Sequence, residues 1–253
     1  MKKHILTAIL FFTINQIFAH YIWIETNVIG RINSTHNLKI RFGEFSDGVF
    51  EKVNSENFKS VADFKMWLID PAGKKTLLQV NAKNDYYAAS FTPKTNGTYT
   101  LALDNKNMKV LDFTKYNYTT FKPQYHAKAR VVIGFNSKNT TKTNPDSIEI
   151  IDLTSKNYKV NKEVILLVQY KQKPLTKSEV KLFIADNWTK TLTTDKEGKV
   201  SFKLPWKTTY TIETTYEEKT PGTYQGRDYK LIWHCATYCI KKNSYNSHTD
   251  NYF

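Results

Sequence analysis

Hydrophobic and polar positions alternate with a period of two along most of the chain. Segments such as YIWIETNVI at 21–29 and LKIRFGE at 38–44 follow this alternation, which is typical of half-buried β-strands. Turn residues recur about every 8–12 positions, for example at Asp70–Gly73 and at Asn96–Gly97. The segment SENFKSVADF at 55–64 predicts at most one short helix or a loop. The pattern therefore predicts an all-β chain of antiparallel strands.

One polar stretch divides this pattern into two parts. The sequence NSKNTTKTNPDS at 136–147 is poor in apolar residues and contains Pro145, after which alternation resumes with SIEIIDL. We therefore predict two antiparallel β-sandwich domains in tandem, at 20–140 and 146–240, with a polar tail at 241–253. Tyr99, two residues after a turn glycine, is similar to the late-strand tyrosine of immunoglobulin-like sandwiches. The segment TTDKEGKVSF at 193–202 is similar to a transthyretin-like hairpin.

The first nineteen residues have the three parts of a secretory signal peptide. Two lysines precede the apolar run Ile5–Phe12, and the segment ends on the small residue Ala19. The run is shorter than the ~20 residues that a membrane-spanning helix needs, and the sequence has no later apolar run. We expect cleavage after Ala19, export to a periplasmic or extracellular location, and no membrane-spanning segment. His20 would then be the first residue of the mature protein.

Composition narrows the possible partners. The chain has 253 residues, of which 40% are hydrophobic and 14% aromatic, enough to bury one large core or two smaller ones. The formal charge is +14, but the lysines are spread along the chain and do not form a block of five or six like charges. This distribution favours a soluble, lysine-rich surface over a nucleic-acid-binding groove, so we expect no nucleic-acid partner.

Local catalytic motifs are absent from the sequence. It contains no G-x-S-x-G segment, no glycine-rich phosphate loop and no serine, histidine and aspartate set in a familiar local context. An enzyme is therefore not expected, although an active site assembled from residues distant in the sequence is still an alternative.

Three histidines are candidate metal ligands. A mature N-terminal His20 would offer both its α-amino nitrogen and an imidazole nitrogen to one ion, and a further imidazole would complete a set suited to copper, nickel or cobalt. His126 stands at the entry to a strong strand and His234 in the last strand-like segment. His36 in a polar turn and His248 in the tail are expected to be idle. Taken alone, His20 is more simply interpreted as the residue that follows a cleavage site than as a metal ligand.

The cysteines leave two structures open. Cys235 and Cys239, in WHCATYC, are the only two cysteines. In a straight strand they would stand ~13 Å apart, beyond the ~7 Å reach of a disulfide, whereas a sharp bend would let them pair. Export and the even count favour the disulfide. As thiolate metal ligands they are weaker candidates than the histidines.

The processing region resembles a known family. FAHYIWIE at 18–25 is similar to the AHxxWxE start of the DUF4198 family, and the likeness continues through TTDKEGKVSFKLPWKTTYTIETTYEEKTPGTY and IWHCATYCI, over about 18–240. The resemblance implies two β-sandwich domains and an exported component of nickel or cobalt uptake. The family's histidine after the signal corresponds to His20, and one in the final strand to His234. His126 comes from this chain alone, and the two cysteines depart from the family pattern.

Together these features give one leading hypothesis and two alternatives. The leading one is an exported, soluble, metal-binding protein that captures nickel, cobalt or copper with His20, His234 and His126, and delivers the ion to a membrane transporter. A non-enzymatic adhesion or carbohydrate- or peptide-binding module is the first alternative, in which several tryptophans would be exposed together: Trp23, Trp67, Trp188, Trp206 and Trp233. An oxidative copper enzyme with an N-terminal histidine chelate is the second alternative.

Overall fold

The computed structural model describes residues 20–135, 142–154, 157–185 and 188–241. The predicted signal peptide and all but the first residue of the predicted tail lie outside these ranges. Within them, regular structure is almost entirely β-strand, which confirms the predicted all-β class. A helix does form in the segment where at most a short one was expected: α1 spans Glu56–Val61, and its N-cap Ser55 Oγ accepts a hydrogen bond from the Phe58 amide at 3.1 Å.

The strands fall into a first and a second group along the chain. The first group is β1 (Tyr21–Thr26), β2 (Ile29–Gly30), β3 (His36–Glu44), β4 (Val49–Phe50), β5 (Lys65–Ile69), β6 (Lys75–Leu77), β7 (Asn81–Ala82), β8 (Tyr87–Phe91), β9 (Gly97–Asn105), β10 (Leu111–Asp112) and β11 (Thr120–Ile133). A 3₁₀ turn at Thr114–Tyr116 precedes the last of these. The second group is β12 (Ile148–Asp152), β13 (Glu163–Tyr170), β14 (Lys173–Pro174), β15 (Glu179–Ile184), β16 (Trp188–Thr193), β17 (Lys199–Lys203), β18 (Thr209–Glu218), β19 (Gly222–Tyr224), β20 (Arg227–Tyr229) and β21 (Leu231–Lys241).

These strands form three packed layers and a small hairpin. The central sheet has ten strands, with the order β16-β15-β18-β21-β11-β9-β5-β6 and with β10 and β2 paired to β11. A five-stranded sheet, β1-β3-β8-β7 with β4, covers one of its faces, and a four-stranded sheet, β12-β13-β14 with β17, covers the other. Strands β19 and β20 form a separate hairpin.

Alternation along β21, one of the two middle strands of the central sheet, supplies side chains to both cores. On β21, Trp233 and Cys235 pack into the core beneath the five-stranded sheet, whereas Ala236 and Tyr238 pack into the core beneath the four-stranded sheet. Because successive side chains of a strand point to opposite faces, one strand can serve two cores. This explains why β21 is buried almost throughout.

The two predicted sandwiches therefore share their middle layer. Strands β11 and β21 pair in parallel, from Phe121 opposite Leu231 to Ala129 opposite Cys239. The predicted linker lies between β11 and β12, and 136–141 of it is outside the described residues. Whether the halves fold as separate domains stays a prediction, but the strands at their junction belong to one sheet.

Each half contains a tyrosine that closes a turn onto its own strand. Tyr99 Oη accepts a hydrogen bond from the Thr95 amide at 3.2 Å and donates to the Thr95 carbonyl at 3.0 Å. Tyr210 Oη repeats this with Trp206, at 2.9 and 3.1 Å. The arrangement matches the expectation for Tyr99 and adds an equivalent in the second half.

Two buried ion pairs join the central sheet to the four-stranded sheet. Lys128 Nζ lies 2.6 Å from Glu149 Oε2, and Arg130 lies 2.8 Å from Asp152 Oδ2. All four side chains are less than a tenth exposed. Buried charges require partners, so these contacts fix the position of β12 against β11.

Candidate metal site and buried histidine chain

His20 lies at the edge of the five-stranded sheet between two carboxylates. Its Nδ1 is 3.1 Å from Glu44 Oε1, and its Nε2 is 3.0 Å from Glu51 Oε1. The imidazole is about one third exposed, and it packs against the Phe42 ring. Neither glutamate lies in a local sequence motif that would mark it as a metal ligand.

Strand register brings the two glutamates to His20. In the β1–β3 ladder Tyr21 stands opposite Gly43, so the next pair outward is His20 and Glu44. Strand β4 then returns close to β3: a Cβ at Gly43 would lie 2.1 Å from the Val49 carbonyl oxygen, so this approach requires glycine. The turn places Glu51 on the other side of the imidazole.

The two carboxylates differ in electrostatics. Burial, together with Asp47, raises the pKa of Glu44 despite the opposing effect of His20. Burial also acts to raise the pKa of Glu51, but hydrogen bonds from Asn57, Ser55 and His20 outweigh it and lower that pKa. Glu51 is therefore an anion held in place by several hydrogen-bond donors, and it orients the imidazole.

His126 and His234 meet on the opposite face of the central sheet. His126 Nε2 lies 2.6 Å and His234 Nδ1 2.9 Å from the same atom, Ser147 Oγ. The outer ring nitrogens contact carboxylates: His126 Nδ1 is 2.9 Å from Asp104 Oδ1, and His234 Nε2 is 3.2 Å from Glu218 Oε2. We call these five residues the histidine chain.

The histidine chain is closed to solvent at its centre and opens at its ends. Ser147 is fully buried, and both histidines are about 2% exposed or less, whereas Asp104 and Glu218 are partly exposed. Burial is the main reason that the pKa of His126 is lowered and that the pKa of His234 falls to about 4. Both imidazoles are therefore neutral at neutral pH.

The structure separates His20 from the other two predicted ligands. Tyr125 Oη donates to the His20 carbonyl at 3.3 Å, so Tyr125 points to the face that holds His20. His126 is its neighbour on β11 and points to the opposite face. Thus His126 and His234 converge on Ser147, and His20 lies across the central sheet with Glu44 and Glu51.

The expected disulfide does not form. Cys235 and Cys239 are free, buried thiols on one face of β21. The strand stays regular between them, with Cys235 opposite Thr215 and Cys239 opposite Thr211 on β18. Continuous pairing on both sides holds β21 extended, so the bend that a disulfide needs is not available. Burial raises the pKa of both thiols, which disfavours thiolate ligands.

The tryptophans do not form one exposed face. Trp23 and Trp233 are in the core, and Trp67 and Trp188 are half-buried. Trp206 is 46% exposed and packs edge-on against Trp188, with ring centroids 5.2 Å apart. Two of the five tryptophans therefore have a structural role in the core.

Comparison with known proteins identifies the family. The sequence profile of DUF4198, described as a domain of unknown function, matches residues 17–218, which is most of the chain. The chain belongs to the DUF4198 family. This confirms the resemblance read from the sequence, and the matched region contains the His20 site, Asp104, His126, Ser147 and Glu218. No curated protein matches the chain.

Solved structures give only distant likenesses. A DUF4785 family protein from Legionella pneumophila aligns with a TM-score of 0.28 and 11% identity, over 76% of this chain and 52% of that one. A marsupial T cell receptor aligns with a TM-score of 0.26 and 10% identity, over 83% of this chain and 61% of the receptor chain. This chain thus spans about half the length of the Legionella protein.

Two further observations concern the described residues alone. They include no group of three or more histidine, cysteine, aspartate or glutamate side chains arranged to hold a metal ion. No helix in those same ranges is long and apolar enough to cross a membrane.

Proposed function

We propose that the processed, exported chain captures a divalent transition-metal ion, nickel, cobalt or copper, at His20. The observation that carries this proposal is the imidazole held between Glu44 and Glu51 at 3.1 and 3.0 Å. His126 and His234 are not included, because Ser147 Oγ occupies the point where their nitrogens converge. The ion would be captured outside the cytosol and passed to a membrane transporter, a role that rests on the family resemblance.

The contacts of His20 assign a separate role to each glutamate. In the tautomer whose Nε2–H donates to Glu51, Nδ1 carries the lone pair of the neutral ring. Metal-binding histidines are commonly oriented in this way by a carboxylate on the other ring nitrogen. Glu51 is a positioning residue in this tautomer, and a metal ion between Nδ1 and Glu44 would replace the unfavourable approach of a lone pair to a carboxylate.

The donor set suits the proposed ions. Nδ1 and the α-amino nitrogen of a free His20 can bind one ion together, and Glu44 Oε1 adds an oxygen. Two ligands at right angles, each ~2.1 Å from an ion, stand ~3 Å apart, so the 3.1 Å separation of Nδ1 and Oε1 is compatible with joint ligation. Mixed imidazole, amine and carboxylate donors fit nickel, cobalt and copper.

Calorimetry on four proteins tests this proposal. The processed chain that begins at His20 is titrated with Ni²⁺, Co²⁺ and Cu²⁺ beside a chain with one extra N-terminal alanine, which removes the α-amine from the chelate. Glu44→Gln removes a proposed ligand, and Glu56→Gln is the matched control, since Glu56 is 91% exposed and pairs with Lys59 in the same helix. We expect roughly tenfold or greater weakening from the alanine extension and from Glu44→Gln, and none from the control. Equal affinity of the processed and extended chains would refute the N-terminal chelate.

A further inference from the structure

The histidine chain contains fewer protons than contacts. Its four contacts run from Asp104 to His126, from His126 to Ser147, from Ser147 to His234 and from His234 to Glu218. The last three contacts have hydrogen-bond geometry, whereas His126 Nδ1 and Asp104 Oδ1 lie 2.9 Å apart without it. One proton between the two atoms at each contact would require four protons. Two neutral imidazoles contribute one N–H each and the serine hydroxyl contributes a third. With both carboxylates ionised, one contact must lack a proton.

Electrostatics decides which contact lacks the proton. An imidazole lone pair facing an ionised carboxylate at 2.9 or 3.2 Å is more unfavourable than one facing a neutral hydroxyl oxygen. Both rings therefore direct their N–H outward, His126 through Nδ1 to Asp104 and His234 through Nε2 to Glu218. Their inner nitrogens then share the single hydroxyl proton of Ser147. The shorter contact, 2.6 Å to His126, receives it, and the 2.9 Å contact to His234 does not.

We propose that Asp104, His126, Ser147, His234 and Glu218 form one proton-binding unit that accepts a single additional proton, at the Ser147–His234 contact, when the medium becomes acidic. The proton enters on His234 Nδ1, which then donates to Ser147 Oγ, while Nε2–H keeps its contact with Glu218. His234 becomes an imidazolium between a hydroxyl and a carboxylate. Only one proton is added, and the proton of Ser147 stays with His126.

Burial and the charges on the surrounding strands determine the pH at which His234 accepts the additional proton. Burial, His126 and Lys171 oppose a cation on His234, whereas Glu218 favours it. Lys171 also pairs with Glu218 at 2.6 Å, which weakens that support. Other charged or titratable groups face the chain: Lys106, Lys128 with its partner Glu149, Tyr170 and Tyr216. Burial, assisted by the positive neighbours, keeps the unit in its three-proton form at neutral pH.

The location of Ser147 connects this proton to the layers of the fold. Ser147 immediately precedes β12 in the four-stranded layer, whereas both histidines belong to the central sheet. The additional proton creates a hydrogen bond from β21 to Ser147 that neutral pH lacks. The unit therefore changes the connection between two layers in response to external acidity, on the face opposite His20.

NMR of the imidazole nitrogens tests this proposal on the full mature chain. Near neutral pH we expect the Nδ1–H tautomer for His126 and the Nε2–H tautomer for His234. On acidification His234 should gain one proton with a midpoint well below the ordinary histidine range, while His126 stays neutral. The opposite tautomer on either ring, or protonation of both rings together, would overturn the proposal.

Ser147→Ala tests whether the Ser147 hydroxyl, and not burial alone, affects the protonation of His234. Without the hydroxyl the additional proton loses its acceptor, so the His234 midpoint should fall by about one pH unit. His36 is a buried histidine that contacts Thr26 at 2.9 Å and is not part of the histidine chain. It should titrate alike in both proteins and serves as an internal control. An unchanged His234 midpoint in a folded variant would contradict the proposal. If the variant does not fold, the two tautomers of the wild type still decide it. None of these readouts depends on metal binding.

Discussion

Glu149→Gln should destabilise the protein because it neutralises one half of a fully buried ion pair. Glu149 is 0% exposed and its Oε2 lies 2.6 Å from Lys128 Nζ, itself 6% exposed. The same oxygen accepts the Thr143 amide at 2.9 Å. Glutamine keeps the size of the side chain but removes the charge that balances Lys128. Burial already lowers the pKa of Lys128, and Glu149 opposes that effect.

The size of the effect follows from the burial of the pair. Removing one partner of a buried pair costs about 3–5 kcal/mol, because the remaining charge is left uncompensated. Glutamine still offers an oxygen to Lys128, so we expect about 3 kcal/mol. A chain of this size loses roughly 2–4 °C in Tm for each kcal/mol, so Tm should fall by roughly 6–12 °C.

Thermal unfolding followed by circular dichroism measures this effect. The matched control is Glu197→Gln, which breaks the exposed pair with Lys199 and should leave Tm unchanged. Adding Lys128→Met to Glu149→Gln removes the uncompensated charge and should restore most of the lost stability. If Glu149→Gln shifts Tm no more than Glu197→Gln does, the Lys128–Glu149 pair does not hold β12 on the central sheet.

Two further predictions concern β18 and β21. Burial raises the pKa of Glu213 to about 7. The contribution of this shift to the free energy of unfolding is fully present below the ordinary pKa of a glutamate, near 4.5, and is lost as the pH rises through 7. Glu213→Gln should therefore raise the free energy of unfolding by up to roughly 3 kcal/mol above pH 7 and by little near pH 4.5, as measured by urea unfolding at both values; an equal gain at both would contradict the raised pKa. Cys235 and Cys239 should not react with a thiol reagent in the native protein and should both react after denaturation, whereas no reaction after denaturation would indicate a disulfide.

The alternating pattern was sufficient to predict the strands but not their partners. Turn chemistry at Asp70 was readable from the sequence, and the structure places its carboxylate on the amides of Ala72 and Lys74. The parallel pairing of β11 with β21 was not readable from the sequence, because it joins segments about 110 residues apart. Alternation does not encode which strand pairs with which. The disulfide expectation failed for the same reason: pairing on both sides of β21 keeps its cysteines apart.

The candidate site shows the same division. The sequence identified His20, His126 and His234 because few residue types bind metals and the predicted cleavage exposes one of them. Glu44, Glu51 and Ser147 were missed, since acidic and hydroxyl side chains are common and nothing local distinguishes these three. Only their positions across a ladder or between layers give them a role.

The sequence by itself thus determined the all-β class, the family and the residues able to do chemistry. Each of these depends on local periodicity or on residue type. The tertiary structure alone decided that His20 and the histidine chain occupy opposite faces of one sheet. That outcome follows from strand order and register, in which Tyr125 and His126 are neighbours in the chain yet point in opposite directions. Long-range pairing sets both the strand order and the register, and a one-residue shift in register would exchange the faces on which these side chains lie.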